Sequence, residues 1–398
     1  MIIDDLKLLN FRSYSSLYIK FDPKLNIIYG MNGAGKTNIV ESIYALSLTK
    51  SFRTNQDSLM IMKEKNVAKI ESNIINKDKK NYQLILQNHE KKVKIENLKV
   101  EKLSDYIADV FMILFNPDDL KIIKESPALR RKFINIELSQ LDKNYILYLN
   151  GYNKILKQRN IYLKEMYING TLSKSYLNIM TEKLVDYGIK IYEIRKKFIE
   201  KVSKNISNNY KKIFEYGVLK VKYLSDYEDK KENIIKKYNN NLKKDMFLGK
   251  TTFGIHRDDI DFILDDNSLK EYGSEGQQKN AIIAFKLSEI EIVKDEKNYY
   301  PILIFDDLSS ELDKKKINNI INMFDEKVQT FITTTSIDFF SENILNKAKI
   351  IRVENSNVEV DEHEKWRRKA LWRQWYSSFR GIRSCKKTSW YVYWNNGC

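Results

Sequence analysis

Residues Gly30-Met-Asn-Gly-Ala-Gly35-Lys36-Thr37 fit the pattern G-x-x-x-x-G-K-[ST], and the flanking residues give that pattern its setting. Before it, Leu25–Tyr29 is a short apolar run whose β-branched pair Ile27–Ile28 suits a buried strand. After it, Asn38–Leu48 places Ile39, Ile43 and Leu46 at helical spacing. A strand, a glycine-rich loop and a helix in that order is where such a loop cradles phosphates. Gly30, Gly33 and Gly35, with Asn32 and Ala34 between them, let successive N–H groups turn inward at a helix N-terminus that favours anions. Lys36 is expected to reach the β and γ oxygens of ATP, and Thr37 to put its hydroxyl on Mg²⁺.

A second apolar run, Ile302-Leu-Ile-Phe, ends in Asp306-Asp307. At the C-terminal end of a parallel strand in a P-loop enzyme, such an aspartate holds Mg²⁺ through water. We expect Asp306 in that role and Asp307 in the general-base position, polarising the attacking water, with Lys36 as the other catalytic group. Paired acids after an apolar run also serve as helix caps, which is the alternative reading.

Around these motifs the chain divides in three. Strand alternation opens it at Ile2–Leu9 and Leu17–Phe21 and recurs at Ala68–Ile75 and Tyr82–Leu86. From about Pro127 to Lys244 glycine and proline almost vanish and helical periodicity takes over, as at Leu184, Ile191, Ile194, Phe198 and Val202. Strand and turn chemistry returns at Gly254, followed by helix Gln278–Val293, the run Pro301–Phe305, helix Lys314–Phe324 and strand Thr330–Thr334. The expected fold is α/β, with residues 1–115 plus 245–358 forming one head and 116–244 a helical insertion.

Charge is unevenly spread. The chain of 398 residues carries a net +16, and residues 151–250 hold 23 Lys and Arg against 11 Asp and Glu. A local excess of that size suits a polyanion such as DNA, because each neutralised phosphate releases counterions; a base-composition bias toward Lys, Asn, Ile and Tyr is the competing explanation. No run of about 18 apolar residues exists, so no membrane is expected as a partner. The first residues, MIIDDLKLLNFRSY, carry two acids and no signal-peptide core, so an intracellular, cytoplasmic location is expected.

The last 38 residues, 361–398, have another character. All five Trp and both Cys of the chain fall within them. Codons compatible with Trp390–Gly397, shifted by one nucleotide, can encode Gly-Met-Tyr-Ile-Gly-Thr-Thr-Gly, which resembles a segment near the start of the DNA gyrase B subunit. We read this tail as out-of-frame read-through, with a tryptophan-rich partner hook as the alternative. Two Cys and His363 give no metal-ligand spacing.

Ser274-Glu-Gly276-Gln277-Gln278-Lys279 precedes the helix at Gln278, and Ser309–Asp313 directly follows the acid pair. Alone, Ser274 is a plain N-cap. In this order the segments resemble those of ATP-binding-cassette ATPases, whose serine–glycine signature closes over the nucleotide of a second subunit. That likeness assigns Ser274, Gly276 and Gln277 to a signature acting in trans and Ser310 and Asp313 to a D-loop.

The resemblance becomes specific with Asn10-Phe11-Arg12, Ser51-Phe52-Arg53-Thr54, Phe115–Leu120, Pro127–Arg131, Gln158-Arg159-Asn160 and Gly254-Ile-His256-Arg257-Asp258-Asp259. With the phosphate loop, the signature and the acid pair, these resemble in order the RecF family of recombination mediators, relatives of SMC-type heads. Ile255 stands where the family has Pro, and Lys279 where it has Arg. The resemblance implies an ABC-ATPase-like P-loop head, a mixed sheet flanked by helices, with a mainly helical inserted lobe. It implies ATP and Mg²⁺ as cofactors, an ATP-dependent homodimer on duplex DNA and at duplex/single-strand junctions, and slow hydrolysis. It also implies action with RecR and RecO in loading RecA, and nucleoid association. By likeness to related heads, Arg12 reaches the nucleotide and Thr335 is a switch sensing the γ-phosphate. A transporter-energising subunit and an SMC-like structural head are the competing functions. Transport cassettes put His where Thr335 stands, and a tether needs hundreds of heptad residues.

Overall fold

The computed structural model describes residues 1–360 apart from 88–89, 108, 170–172, 228–229, 308–312 and 325–326; the tail 361–398 therefore lies outside the described residues. Three sheets and a set of long helices make up this part. The central sheet runs, edge to edge, Asn357–Val360, Ala348–Glu354, Leu25–Tyr29, Thr330–Thr334, Ile302–Phe305 and Met112–Phe115. Its strands are parallel except Asn357–Val360, which pairs antiparallel at the edge. Ile302–Phe305, Thr330–Thr334 and Met112–Phe115 are buried throughout, because helices or a second sheet cover both faces and leave no reason for alternation.

One face of that sheet carries the helix Lys36–Leu48. Over it folds an antiparallel sheet ordered Tyr14–Lys20, Asp5–Phe11, Val67–Ile75, Lys79–Gln87, Glu90–Ile95 and Leu98–Lys99, with Ile2–Ile3 beside Val67–Ile75. Val67–Ile75 alternates buried and half-buried residues along its whole length, the mark of a strand with one face on a core. Ile39, Val40 and Ile43 of the helix join Ala68, Ile70 and Ile74 in that core.

The other face packs against helices. Glu275–Lys297 lies on the sheet, and Pro127–Leu141, Lys143–Asn169 and the 41-residue helix Lys174–Phe214 stand around it. At 1.5 Å per residue the longest spans about 60 Å. Leu177, Leu184, Ile191 and Phe198 recur at seven-residue spacing along it and are all buried. Phe285 is the hub: its ring centroid lies 5.2 Å from Phe133, 5.7 Å from Phe262 and 6.1 Å from Phe198, so four elements meet at one side chain.

Residues from the expected insertion and the expected head share a third sheet. Leu219–Leu224 pairs antiparallel with Asp259–Leu264, and Asn267–Ser268 adds the outer strand. Three buried arginines pin the same junction. Arg130 pairs with Asp259 at 2.6 Å, Arg159 with Asp245 at 2.9 Å and Arg195 with Asp258 at 3.0 Å. Two sequence motifs, Pro127–Arg131 and Gly254–Asp259, therefore meet in space; Arg131 also donates to the Asp258 carbonyl at 2.8 Å.

Candidate nucleotide site

The parallel register brings the C-terminal ends of Leu25–Tyr29, Thr330–Thr334 and Ile302–Phe305 level, since Tyr29 pairs with Thr334 and Ile332 with Phe305. The phosphate loop, the acid pair and Thr335 leave the sheet at that common edge. A loop so placed needs room for backbone to approach backbone. A Cβ at Gly30 would stand 2.1 Å from the Val353 carbonyl oxygen, and one at Gly35, where φ is +114°, would stand 2.7 Å from the Tyr14 hydroxyl. Tyr14 donates to the Gly35 carbonyl at 3.2 Å, and the Ser356 N–H donates to the Ala34 carbonyl at 2.9 Å. Met31, Asn32 and Gly33 form the exposed crest, while Ala34, Gly35 and Lys36 are buried.

Lys36 turns its ammonium into the loop, donating to the carbonyls of Gly30 at 2.8 Å and Met31 at 2.9 Å. Burial pulls this ammonium below its ordinary pKa, while the charges of Asp307 and Asp306 hold it up. Asp306 Oδ1 accepts two hydroxyls, from Thr333 at 2.7 Å and from Thr37 at 3.0 Å. Burial pushes the Asp306 carboxyl above the usual range, against those two hydrogen bonds and the nearby charge of Arg53. Asp307 takes a left-handed conformation with φ +54°, and its N–H donates to the Thr333 hydroxyl at 2.8 Å. One threonine thus holds both acids.

Mg²⁺ is the ion that the P-loop pattern implies. It takes hard oxygen ligands and in phosphate sites needs only one or two from protein, the rest coming from phosphate and water. The Thr37 hydroxyl and Asp306 carboxylate, already 3.0 Å apart, fit that demand. Asn116, first residue past the strand that neighbours Asp306, adds a buried Oδ1 with no hydrogen-bond partner among the described residues.

The remaining expected residues fall in different places. Thr335 is exposed at the bend just past its strand. Arg12 grips Glu41 of the loop's helix through Nε at 2.9 Å and Nη2 at 2.5 Å, and donates to the Leu59 carbonyl at 2.6 Å. Asp313 is exposed and caps Lys314–Phe324 by accepting the Lys316 N–H at 2.9 Å; Ser310 lies outside the described residues. Helix Glu275–Lys297 begins three residues before the position expected from its periodicity, because Ser274 and Gln277 close a capping box. The Ser274 N–H donates to Gln277 Oε1 at 2.9 Å and the Gln277 N–H to Ser274 Oγ at 3.3 Å. Ser274 and Gly276 are exposed, and a Cβ at Gly276 would meet nothing within 4 Å.

Three residues of the site carry no motif, Thr333, Glu41 and Ser356, and a fourth, Asn116, lies in the segment Phe115–Leu120, to which no role in the site was attached. Thr333 is one of three threonines in the strand Thr330–Thr334, where threonine reads as an ordinary strand former, and only the sheet register places its hydroxyl beside Asp306. Glu41 lies two residues from both Ile39 and Ile43, on the face opposite their stripe, so periodicity reads it as solvent-facing; only the fold buries it and brings Arg12 to it.

Comparison with known proteins agrees with this geometry. The family model RecF/RecN/SMC N terminal domain matches residues 2–360. "DNA replication and repair protein RecF" of Ligilactobacillus salivarius is 35% identical over 368 residues, covering 90% of this chain and 97% of that protein. Its namesake from Streptococcus agalactiae serotype Ia is 37% identical over 370 residues, 91% and 99% of the two chains. A solved structure described as "Structure of the recombination mediator protein RecF-ATPrS in RecFOR pathway" superposes with a TM-score of 0.83 at 28% identity, over 90% of this chain and 98% of that one. With a phosphate loop, a hydroxyl-braced acid pair and this fold in one chain, the protein belongs to the RecF family.

Proposed function

We propose that this protein is an ATP-gated, DNA-binding ATPase of recombinational repair. ATP and Mg²⁺ bind at Gly30–Thr37 and Asp306, and two copies close head to head on DNA. Each copy's Ser274, Gly276 and Gln277 then cover the nucleotide held by the other. Slow, DNA-stimulated hydrolysis resets the pair. Residues 1–115 with 245–358 act as the head and 116–244 as the helical lobe. The partners in this reading are RecR and RecO, with RecA loaded at duplex/single-strand junctions and replication restart as the outcome.

The observation that carries the reading is a separation. Among the described residues, Ser274–Gln277 and Gly30–Thr37 share no hydrogen bond, and Ser274–Gly276 and the loop crest Met31–Gly33 are exposed. The capping box satisfies the N–H groups of Ser274 and Gln277, while those of Glu275 and Gly276 have no carbonyl four residues back inside the helix. Such a helix start suits an anion supplied from outside.

In the proposed reaction the Lys36 ammonium moves from the carbonyls of Gly30 and Met31 to phosphate oxygens. Bound Mg²⁺ supplies neutralisation of the β and γ charge. Thr37 and Asp306 hold the ion, Thr333 keeps Asp306 oriented, and Asp307 takes the proton of the attacking water. Arg12, anchored by Glu41, and Thr335 at the sheet edge complete the nucleotide contacts.

Light scattering with a slowly hydrolysed ATP analogue and duplex DNA tests this. The wild type should double in mass. Ser274→Arg should bind the analogue yet stay single; a Ser274→Arg protein that still doubles would end the shared-site reading.

A further inference from the structure

One surface outside the nucleotide site is at odds with a solvated face. On the long helix Lys143–Asn169, Tyr167 is 58% exposed; on the short helix Leu242–Leu248, Phe247 is 69% exposed. The two rings meet edge to face, with centroids 6.1 Å apart and planes at 85°. That arrangement leaves a face of each ring open to a third ring. Single exposed apolar side chains are ordinary, but with their chain neighbours Ile168 and Leu248 exposed as well these rings head an apolar patch, and patches mark interaction sites.

The charge around the rings is mostly of one sign, since the exposed acid Glu165 lies about 160° round its helix from Tyr167. Lys164 lies one turn before Tyr167, and Lys243 and Lys244 lie one turn before Phe247; all three are exposed. The stem of Lys164 runs across Gly249, where a Cβ would stand 2.4 Å from Lys164 Cγ, so the chain crossing is shaped to let this lysine lie there. The short helix has a single acid, Asp245, and it is fully buried. It pairs with Arg159 at 2.9 Å and accepts from the Thr252 N–H at 2.9 Å and its hydroxyl at 2.7 Å. Glu165 is the exposed acid of the neighbouring turn. The fold thus withdraws negative charge from the face and leaves lysines framing two aromatic rings.

We propose that Lys164, Tyr167, Lys243, Lys244 and Phe247 form a binding platform for single-stranded DNA. The lysines contact phosphates and the rings stack on unpaired bases. A duplex keeps its base faces inside the helix and offers the rings nothing, whereas every unpaired base has a π-face to give. An apolar protein segment would use the rings and leave the lysines unmatched. The platform rests on the DNA-binding reading above and adds to it the place on the inserted lobe where unpaired bases are held.

The test is fluorescence anisotropy of nucleotide-free, full-length protein with labelled dT20, a 20-bp duplex and an abasic 20-mer, each at several salt concentrations. Tyr167→Ala/Phe247→Ala should weaken dT20 binding by about tenfold or more, with the duplex and abasic probes unchanged. Tyr167→Trp/Phe247→Trp should keep dT20 affinity, which separates stacking from a fold requirement. Lys243→Ala/Lys244→Ala should lower the log–log salt slope for dT20 by about 0.7 per lysine. Unchanged dT20 binding by the alanine pair would overturn the platform; so would an equal loss on duplex, or failure of a folded tryptophan pair to bind. ATP-driven doubling of mass, measured on the same samples, reports separately on the shared nucleotide site.

Discussion

The Thr333 hydroxyl lies 2.7 Å from Asp306 Oδ1 and donates to it, while accepting the Asp307 N–H at 2.8 Å. A residue with no chemistry of its own thereby sets the geometry of the two acids expected to hold the ion and the water. Thr333→Val keeps the shape and removes both hydrogen bonds. ATP hydrolysis should fall roughly 10- to 100-fold, because small displacements of positioned groups are costly at the transition state. ATP affinity should change much less, and Thr333→Ser should restore turnover. Phosphate release under saturating ATP, beside nucleotide titration, checks both halves.

Lys36 is buried, and its ammonium fits against two carbonyls of its own loop. Lys36→Arg keeps the charge and loses that fit. Hydrolysis should drop at least about 100-fold, and ATP-driven doubling of mass should weaken. Turnover assays test the first statement; undiminished doubling in light scattering would refute the second.

His256 is held at both nitrogens. Nδ1 lies 2.7 Å from the Tyr152 hydroxyl and Nε2 3.0 Å from the Thr251 carbonyl, so Nε2 carries the proton and Nδ1 accepts. Burial lowers its pKa to about 4, helped by the charges of Arg257 and Arg131. The folded state therefore binds this proton less readily than the unfolded chain, where the value is 6.5. Its contribution is whole above pH 6.5 and is lost as pH falls toward 4, by up to about 3 kcal/mol. Chemical denaturation from pH 7 to 4.5 should show a shallower loss for His256→Gln than for the wild type.

Glu289 is buried on the helix that starts at Ser274, and neither carboxylate oxygen has a hydrogen-bond partner among the described residues. Burial first, and the neighbouring Glu137 second, push its pKa well above the ordinary value, while Lys286 opposes them. A carboxyl raised in this way destabilises the fold increasingly as pH climbs from its unfolded value toward the folded one. Glu289→Met fills the same space without orphan oxygens. It should stabilise by about 1–3 kcal/mol, and more at pH 8.5 than at pH 5.5. Urea midpoints at the two pH values decide it; a less stable variant at pH 8.5 would show that the carboxyl has a partner that the fold conceals.

Local pattern was legible wherever one element dictates its own residues. Helix Lys314–Phe324 and strands Leu25–Tyr29 and Thr330–Thr334 stand where their periodicity puts them. Edge strands were harder. Met112–Phe115 is four residues with no turn signal before it, and its pairing with Ile302–Phe305 crosses nearly two hundred residues. Leu219–Leu224 lies inside the stretch read as helical although Gly217, at φ +77°, punctuates it and Leu219, Val221 and Tyr223 alternate with Lys220 and Lys222; Asp259–Leu264 pairs with it from the far side of that stretch. At Ser274 the side-chain cap with Gln277 moved the helix start, an effect that hydrophobic spacing does not register.

The amino-acid order alone determined that a phosphate cradle, an acid pair and a serine-led helix exist in this chain, because glycine spacing, apolar runs and capping residues are local in cause. Their relation was decided by tertiary structure. Parallel register set Thr37 beside Asp306 and Thr333 behind it, while the buried pairs Arg130–Asp259, Arg159–Asp245 and Arg195–Asp258 tied the long helices to the residues that follow them. Contacts between positions 27 to 269 residues apart leave no periodic trace in sequence, since each partner's type is free until the fold brings the other within reach.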